Sequence, residues 1–93
     1  MRLIVRPEAE ADIGDAYAWY ETQRPGLGQR CLDRIQSAPK RYQPVRAEAR
    51  RALVRRFPYG VFFIADERQV SVLAVLHMAR DPVLWQERVE RDL

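Results

Sequence analysis

The sequence predicts an α+β fold in the order β-α-α-β-β-β-α, in which an antiparallel sheet packs on a helical hairpin and a C-terminal helix closes the domain. Three observations carry that reading. Apolar residues recur at helical spacing in two stretches separated by Arg24-Pro25-Gly26, the period changes from 3.6 to 2 beyond residue 50, and Asp81-Pro82 has the form of a helix start.

Leu3 and Val5, flanked by Arg2, Ile4 and Arg6, make a short first strand, which Pro7 ends while serving as the first residue of a helix. Over 7–22, Ala9, Ile13, Ala16 and Tyr20 share one helical face with Tyr17 beside them. Glu8, Glu10, Asp12, Asp15 and Glu21 fall mostly elsewhere, and the first of them sit where the helix dipole favours acids. Beyond the Pro-Gly break a second stripe runs through Leu27, Cys31, Ile35, Ala38 and Tyr42, so two antiparallel helices joined by a tight turn are expected. Pro39 kinks or terminates the second, and Pro44 marks the exit into a basic loop.

Segments 51–57, 59–65 and 70–77 are rich in Val, Ile, Leu and Phe and are divided by Pro58 and by Asp66-Glu67-Arg68-Gln69, the pattern of a three-stranded antiparallel meander. Simple alternation puts Leu73, Val75 and His77 on one face and Val72, Ala74 and Leu76 on the other. Both faces are then apolar; one covers the helices and the other needs a cover of its own. Asp81 as cap and Pro82 as first residue start the last helix, through Val83, Leu84, Trp85, Arg88 and Val89.

With 93 residues, 47% of them apolar, the chain has material for a single domain over residues 1–93 with one core. Fifteen of its sixteen basic residues are Arg, Lys40 being the exception. Arginine suits the two-bond grip of planar carboxylate or phosphate groups, although codon bias in a GC-rich genome supplies it equally well. Position says more than number. Between Lys40 and Arg56 seven bases face one acid, Glu48, whereas residues 8–21 carry five acids and no base. The molecule is therefore electrically two-sided. A lone cysteine, Cys31, cannot bridge internally and reads as a small buried thiol, in keeping with a reducing cytoplasm. MRLIVRP is too short an apolar run for a signal peptide, and no eighteen apolar residues follow one another, so cytoplasmic localisation without a membrane partner is expected.

No histidine or cysteine cluster offers a zinc or iron–sulfur site, no glycine-rich loop cradles a phosphate, and Ser37, Ser71 and His77 do not make a triad. Neither a metal nor a cofactor is expected. The chemistry left open is metal-free RNA cleavage, which needs a base for the 2′-hydroxyl, a cation for the phosphate and an acid for the leaving oxygen. Glu48, Arg55 or Arg56, and His77 could fill those roles, with Arg80 a further candidate. Each also has a structural reading: a histidine at an apolar strand end is commonly held by neighbouring groups, and Arg55 and Arg56 project to opposite sides of their strand. Tyr59 beside Gly60 can serve as a hairpin aromatic, and Trp85 and Tyr42 as core residues.

The lead-in Arg56-Phe57-Pro58-Tyr59 to an aromatic strand, then an apolar strand ending in His77, Arg80, Asp81 and Pro82, then Trp85, resembles the hallmark region of the ParE-type plasmid-stabilisation toxins in the RelE/ParE superfamily. The helical hairpin with Gly26-Leu27-Gly28 at its turn is similar to that family as well, so the likeness spans nearly the whole chain. It implies the toxin of a type II toxin–antitoxin pair, a cognate ParD-like antitoxin that wraps the toxin with a helix and an added strand, and a hetero-oligomer of the two. ParE relatives act on DNA gyrase, whereas RelE relatives enter the ribosomal A site and cut mRNA with several basic residues and a tyrosine near the C-terminus.

Here the central strands lack lysine and Met78 rather than Tyr follows His77, which departs from the RelE pattern. An RNase of the superfamily that uses Glu, Arg and His would carry its arginine on the strand Tyr59 to Ala65, which has none. The expectation is therefore a gyrase inhibitor without catalytic turnover. The alternatives are a ribosome-dependent, metal-free mRNA endonuclease and a module that binds an antitoxin but no longer poisons anything. Arg55, Arg56, Tyr59, His77, Arg80 and Trp85 are the residues expected to face target or partner, and the basic 40–56 segment predicts an acidic binding segment on the antitoxin.

Overall fold

The structure, a computed structural model, describes residues 2–23, 27–54, 59–78 and 82–92. Strand β1 (Arg2–Val5) leads into helices α1 (Pro7–Gln23) and α2 (Leu27–Ser37) and a 3-10 turn at Pro39–Arg41. Strands β2 (Pro44–Arg46), β3 (Ala49–Leu53), β4 (Tyr59–Ala65) and β5 (Gln69–His77) follow, and helix α3 (Pro82–Asp92) ends the chain. Helix α2 stops two residues before Pro39, whose ring cannot continue the helix and is instead buried at the start of the 3-10 turn.

The sheet has the order β1-β5-β4-β3-β2, and two of its strands differ from the sequence reading. The segment expected as a basic loop forms β2, an edge strand paired irregularly with β3. Pro44 suits that place, since an edge strand can forgo one donor. The sheet is also mixed rather than antiparallel throughout, because β1 runs parallel to β5, from Arg2 opposite Gln69 to Val5 opposite Val72. A parallel pair needs a long crossover, which the helices and the first part of the meander supply. The first meander strand ends at Leu53, not 57, so the expected splaying of Arg55 and Arg56 lies outside the described residues.

A bulge changes which side chains share a face. Phe62 pairs with Ala74 and Phe63 with Val72, which leaves Leu73 without a partner on β4. One extra residue inverts the alternation that follows it. Val70, Val72 and Val75 therefore pack with Phe63, Ala9 and Ile35 under the helical hairpin, whereas Leu73 and Ala74 pack with Phe62, Ala49 and Val89 under α3. Simple alternation had joined Leu73 to Val75 and Val72 to Ala74. Helix α3 supplies cover for the second face through Val89 and Trp85.

Where β1 ends, two side chains take its place along β5. The Val75 N–H donates to Oδ2 of Asp12 at 3.1 Å. Arg88 donates to both carboxylate oxygens of Asp12, at 2.9 and 3.3 Å, and reaches the Leu73 carbonyl at 3.5 Å. The backbone groups flanking the bulge are thus satisfied by an aspartate from α1 and an arginine from α3, whose side chains are each 14% exposed. Glu8 extends the cluster, lying 3.4 Å from Arg88 and 3.2 Å from Arg91. At the other end of β5, Oδ1 of Asp66 accepts the N–H groups of Arg68 and Gln69, and the Arg68 carbonyl accepts the first hydrogen bond from β1 at 3.1 Å.

Two predictions follow from these contacts. Arg88→Met leaves a buried carboxylate without its cation and is expected to cost about 3 kcal/mol in urea unfolding, with Asp12→Leu/Arg88→Met recovering part of that loss. The two backbone hydrogen bonds hold the Asp66 carboxyl below its ordinary value of 3.8. A group depressed in the folded state contributes stability above its unfolded pKa and loses it as pH falls through the folded one. Asp66→Asn should therefore flatten the stability profile below that value and leave its shape near neutrality unchanged, as read by melting temperature across pH.

Candidate functional site

One end of the sheet brings together two of the residues singled out in the sequence, Tyr59 and His77. Leu53 pairs with Gly60, Gly60 with Leu76, and Tyr59 with His77, so the exit of β3, the start of β4 and the exit of β5 are level. The Val54 N–H donates to the Tyr59 carbonyl at 2.9 Å and holds together the two ends of segment 55–58. Arg55 and Arg56 belong to that segment, and Arg80 to the 79–81 link between β5 and α3; all three lie outside the described residues.

Tyr59 and His77 meet edge to face, with ring centroids 5.1 Å apart and planes at 75°. Both rings are half-buried, and Tyr59 packs against the core that the helical hairpin covers. On the opposite face, Trp85 stacks on Phe62 at 5.1 Å with planes 14° apart. Arg51 projects to the same side, its guanidinium carbon 6.0 Å from the Trp85 ring centre and its Nη1 3.8 Å from the sulfur of Met78. Gly60 makes this possible: a Cβ there would lie 3.0 Å from the Met78 sulfur and 3.2 Å from Cδ of Arg51.

Glu48 is not brought to His77. It sits in the exposed turn after Ala47, whose φ of 50° marks the tight reversal between β2 and β3. Arg50, two residues on, is level with Phe63 and through it with Val72. Val72 is five strand residues from His77, roughly 16 Å at the usual strand rise, and Glu48 lies farther still. Tyr42, read as a core residue, packs edge-on against Phe63 at 5.8 Å, and its carbonyl accepts a hydrogen bond from Arg50. Arg46 pairs with Glu90 of α3. Much of the basic segment is thus engaged in holding the fold.

The sequence reading did not single out Arg51, although alternation along β3 sets it on the face opposite Ala52, the face on which it meets Trp85 and Met78. Burial pushes the Cys31 thiol up to about 11 against the lowering effect of Arg34, which keeps it protonated and unreactive near neutral pH. Among the described residues no group of three or more His, Cys, Asp or Glu is placed to hold a metal ion.

The family model for the ParE toxin of type II toxin–antitoxin system, parDE, matches residues 3–82. Among solved structures, one described as the chromosomal ParDE TA system from P. aeruginosa is similar, with a TM-score of 0.57 at 17% identity, covering 83% of this chain and 95% of that one. At that identity the likeness concerns the fold. No curated protein matches the chain significantly.

The Trp85–Phe62 stack is expected to fix α3 on the sheet. Trp85→Ala should cost about 3 kcal/mol and Trp85→Phe about 1 kcal/mol in urea unfolding, because the second change keeps an aromatic face on Phe62. Equal losses for the two variants would show that α3 does not depend on the stack.

Proposed function

The chain belongs to the family of ParE toxins of type II toxin–antitoxin systems, and on that premise we propose that it poisons DNA gyrase and is neutralised by a ParD-like antitoxin. The surface assigned to these contacts is the end of the sheet at which β3 leaves off and β4 begins with Tyr59. The observation that carries the non-catalytic reading is the distance along the sheet between Glu48 and His77, because a base and an acid for RNA cleavage must approach the same phosphodiester. The packing of His77 on Tyr59 supports it further, since that contact gives the imidazole a structural role at the strand end. No helix among the described residues is long and apolar enough to cross a membrane.

Induced expression, followed by separate measurement of plasmid supercoiling, double-strand breaks and protein synthesis, tests the proposal. DNA damage with continuing translation is the expected result. Arrested translation with intact DNA supports an mRNA endonuclease instead, and neither effect supports a module that binds an antitoxin only. His77→Gln separates the first two readings: a histidine acting as general acid contributes on the order of a hundredfold to ten-thousandfold in rate, so a nuclease would lose its toxicity. Growth inhibition by His77→Gln is expected to stay within about twofold of the parent, with folding checked by antitoxin binding.

A further inference from the structure

Arg51 differs from the other described arginines that reach α3 or its neighbours. Arg46, Arg88 and Arg91 each have a carboxylate within ion-pair distance. Arg51 is half-buried, yet among the described residues its guanidinium is met by a thioether and an indole ring and by no acid. A cation withdrawn from water without an anion retains donors that only weak acceptors answer. Its surroundings are apolar and open. Leu53, two residues along β3 on the same face, is 60% exposed, and Leu84, beside Trp85 on α3, is 41% exposed. These are the large hydrophobic side chains left in water among the described residues; Leu53 lies beside Arg51 along β3, and Leu84 precedes the tryptophan that Arg51 approaches.

The geometry points to Arg51 as the anchor for a carboxylate carried on an apolar segment of the antitoxin, with Leu53 and Leu84 receiving the apolar neighbours of that carboxylate. The inference rests on the antitoxin partner of the preceding reading and not on the gyrase target. A guanidinium grips a carboxylate through two parallel hydrogen bonds, and it does so most strongly where water is excluded. The exposed leucines favour a peptide over a phosphate backbone, which would leave them in water, and they supply that exclusion once covered. Gly60 is part of the site, because its missing side chain leaves room for Arg51 and Met78 to lie flat beneath the arriving segment.

Calorimetric titration of the antitoxin encoded with this chain, into the parent and three variants, tests the assignment. Arg51→Gln removes the cation, Leu53→Asp sets a like charge against the incoming carboxylate at an exposed position, and Arg41→Gln removes a surface cation from the 3-10 turn. Affinity is expected to fall at least about tenfold for Arg51→Gln and for Leu53→Asp and to stay within about twofold for Arg41→Gln, with a weaker salt dependence for Arg51→Gln. Melting of the free chains verifies folding, and Leu53→Asp keeps the test decisive if Arg51→Gln unfolds. Affinities for Arg51→Gln and Leu53→Asp within twofold of the parent would overturn the inference. So would a dimer of the free chain that Leu53→Asp dissolves without changing antitoxin affinity, which would give the patch to a second copy. Loss of antitoxin binding in the variants of a parent that leaves DNA supercoiling untouched would sink the gyrase reading and uphold this one.

Discussion

The pairing of Asp12 with Arg88 is the constraint on which the arrangement of layers depends. Strand β1 covers β5 only as far as Val72, and the bulge at Leu73 immediately beyond leaves backbone groups that no strand can answer. Asp12 accepts from Val75, and Arg88 reaches both that carboxylate and the Leu73 carbonyl. Helices on opposite faces of the sheet are thus joined around its edge. A charged pair this deep is tolerated because each member answers the other and a backbone group besides, and each would be costly alone. Once α3 is held there, Trp85 falls on Phe62 and Val89 closes the second core.

Much of this fold was legible in the residues. The helical stripes, the Pro-Gly break and the change of period marked both hairpin helices and the three strands of the meander, and Pro82 does begin α3. The parallel placement of β1 was not legible, since four residues ending at a proline carry no sign of which edge they join. Strand β2 was hidden by Pro44 and by its three-residue length. The face assignments failed at Leu73 because a bulge is a property of the pairing between two strands and leaves no mark on one of them. At the candidate site, the nearness of Tyr59 and His77 followed from strand ends that could be read, whereas Glu48 looked eligible only because sequence distance says nothing about position along a sheet.

The uneven charge of the chain has an internal use as well as an external one. The acids at the start of α1 face the arginines of α3, where Glu8 serves Arg88 and Arg91 together. Within the basic segment, Arg46 ties β2 to α3 and Arg50 supports the Tyr42 carbonyl. Arginine suits these tasks through its fork of donors, which can serve a carboxylate and a carbonyl at once, as Arg88 does. The abundance of arginine is therefore partly architectural, whatever codon usage contributes.

The parallel seam between β1 and β5 also governs when the chain can fold. Asp12 and Arg88 are 76 positions apart, and β1 has no strand to join until β5 exists. On the ribosome the N-terminal strand and helix must wait for β5 and α3 before their edge is closed, since contacts of such long range cannot form earlier. A nascent chain halted before α3 would present the bulged edge and the Phe62 face to water. This architecture delays the native shape until α3 has been made, so the two cores on either side of the sheet close late and together.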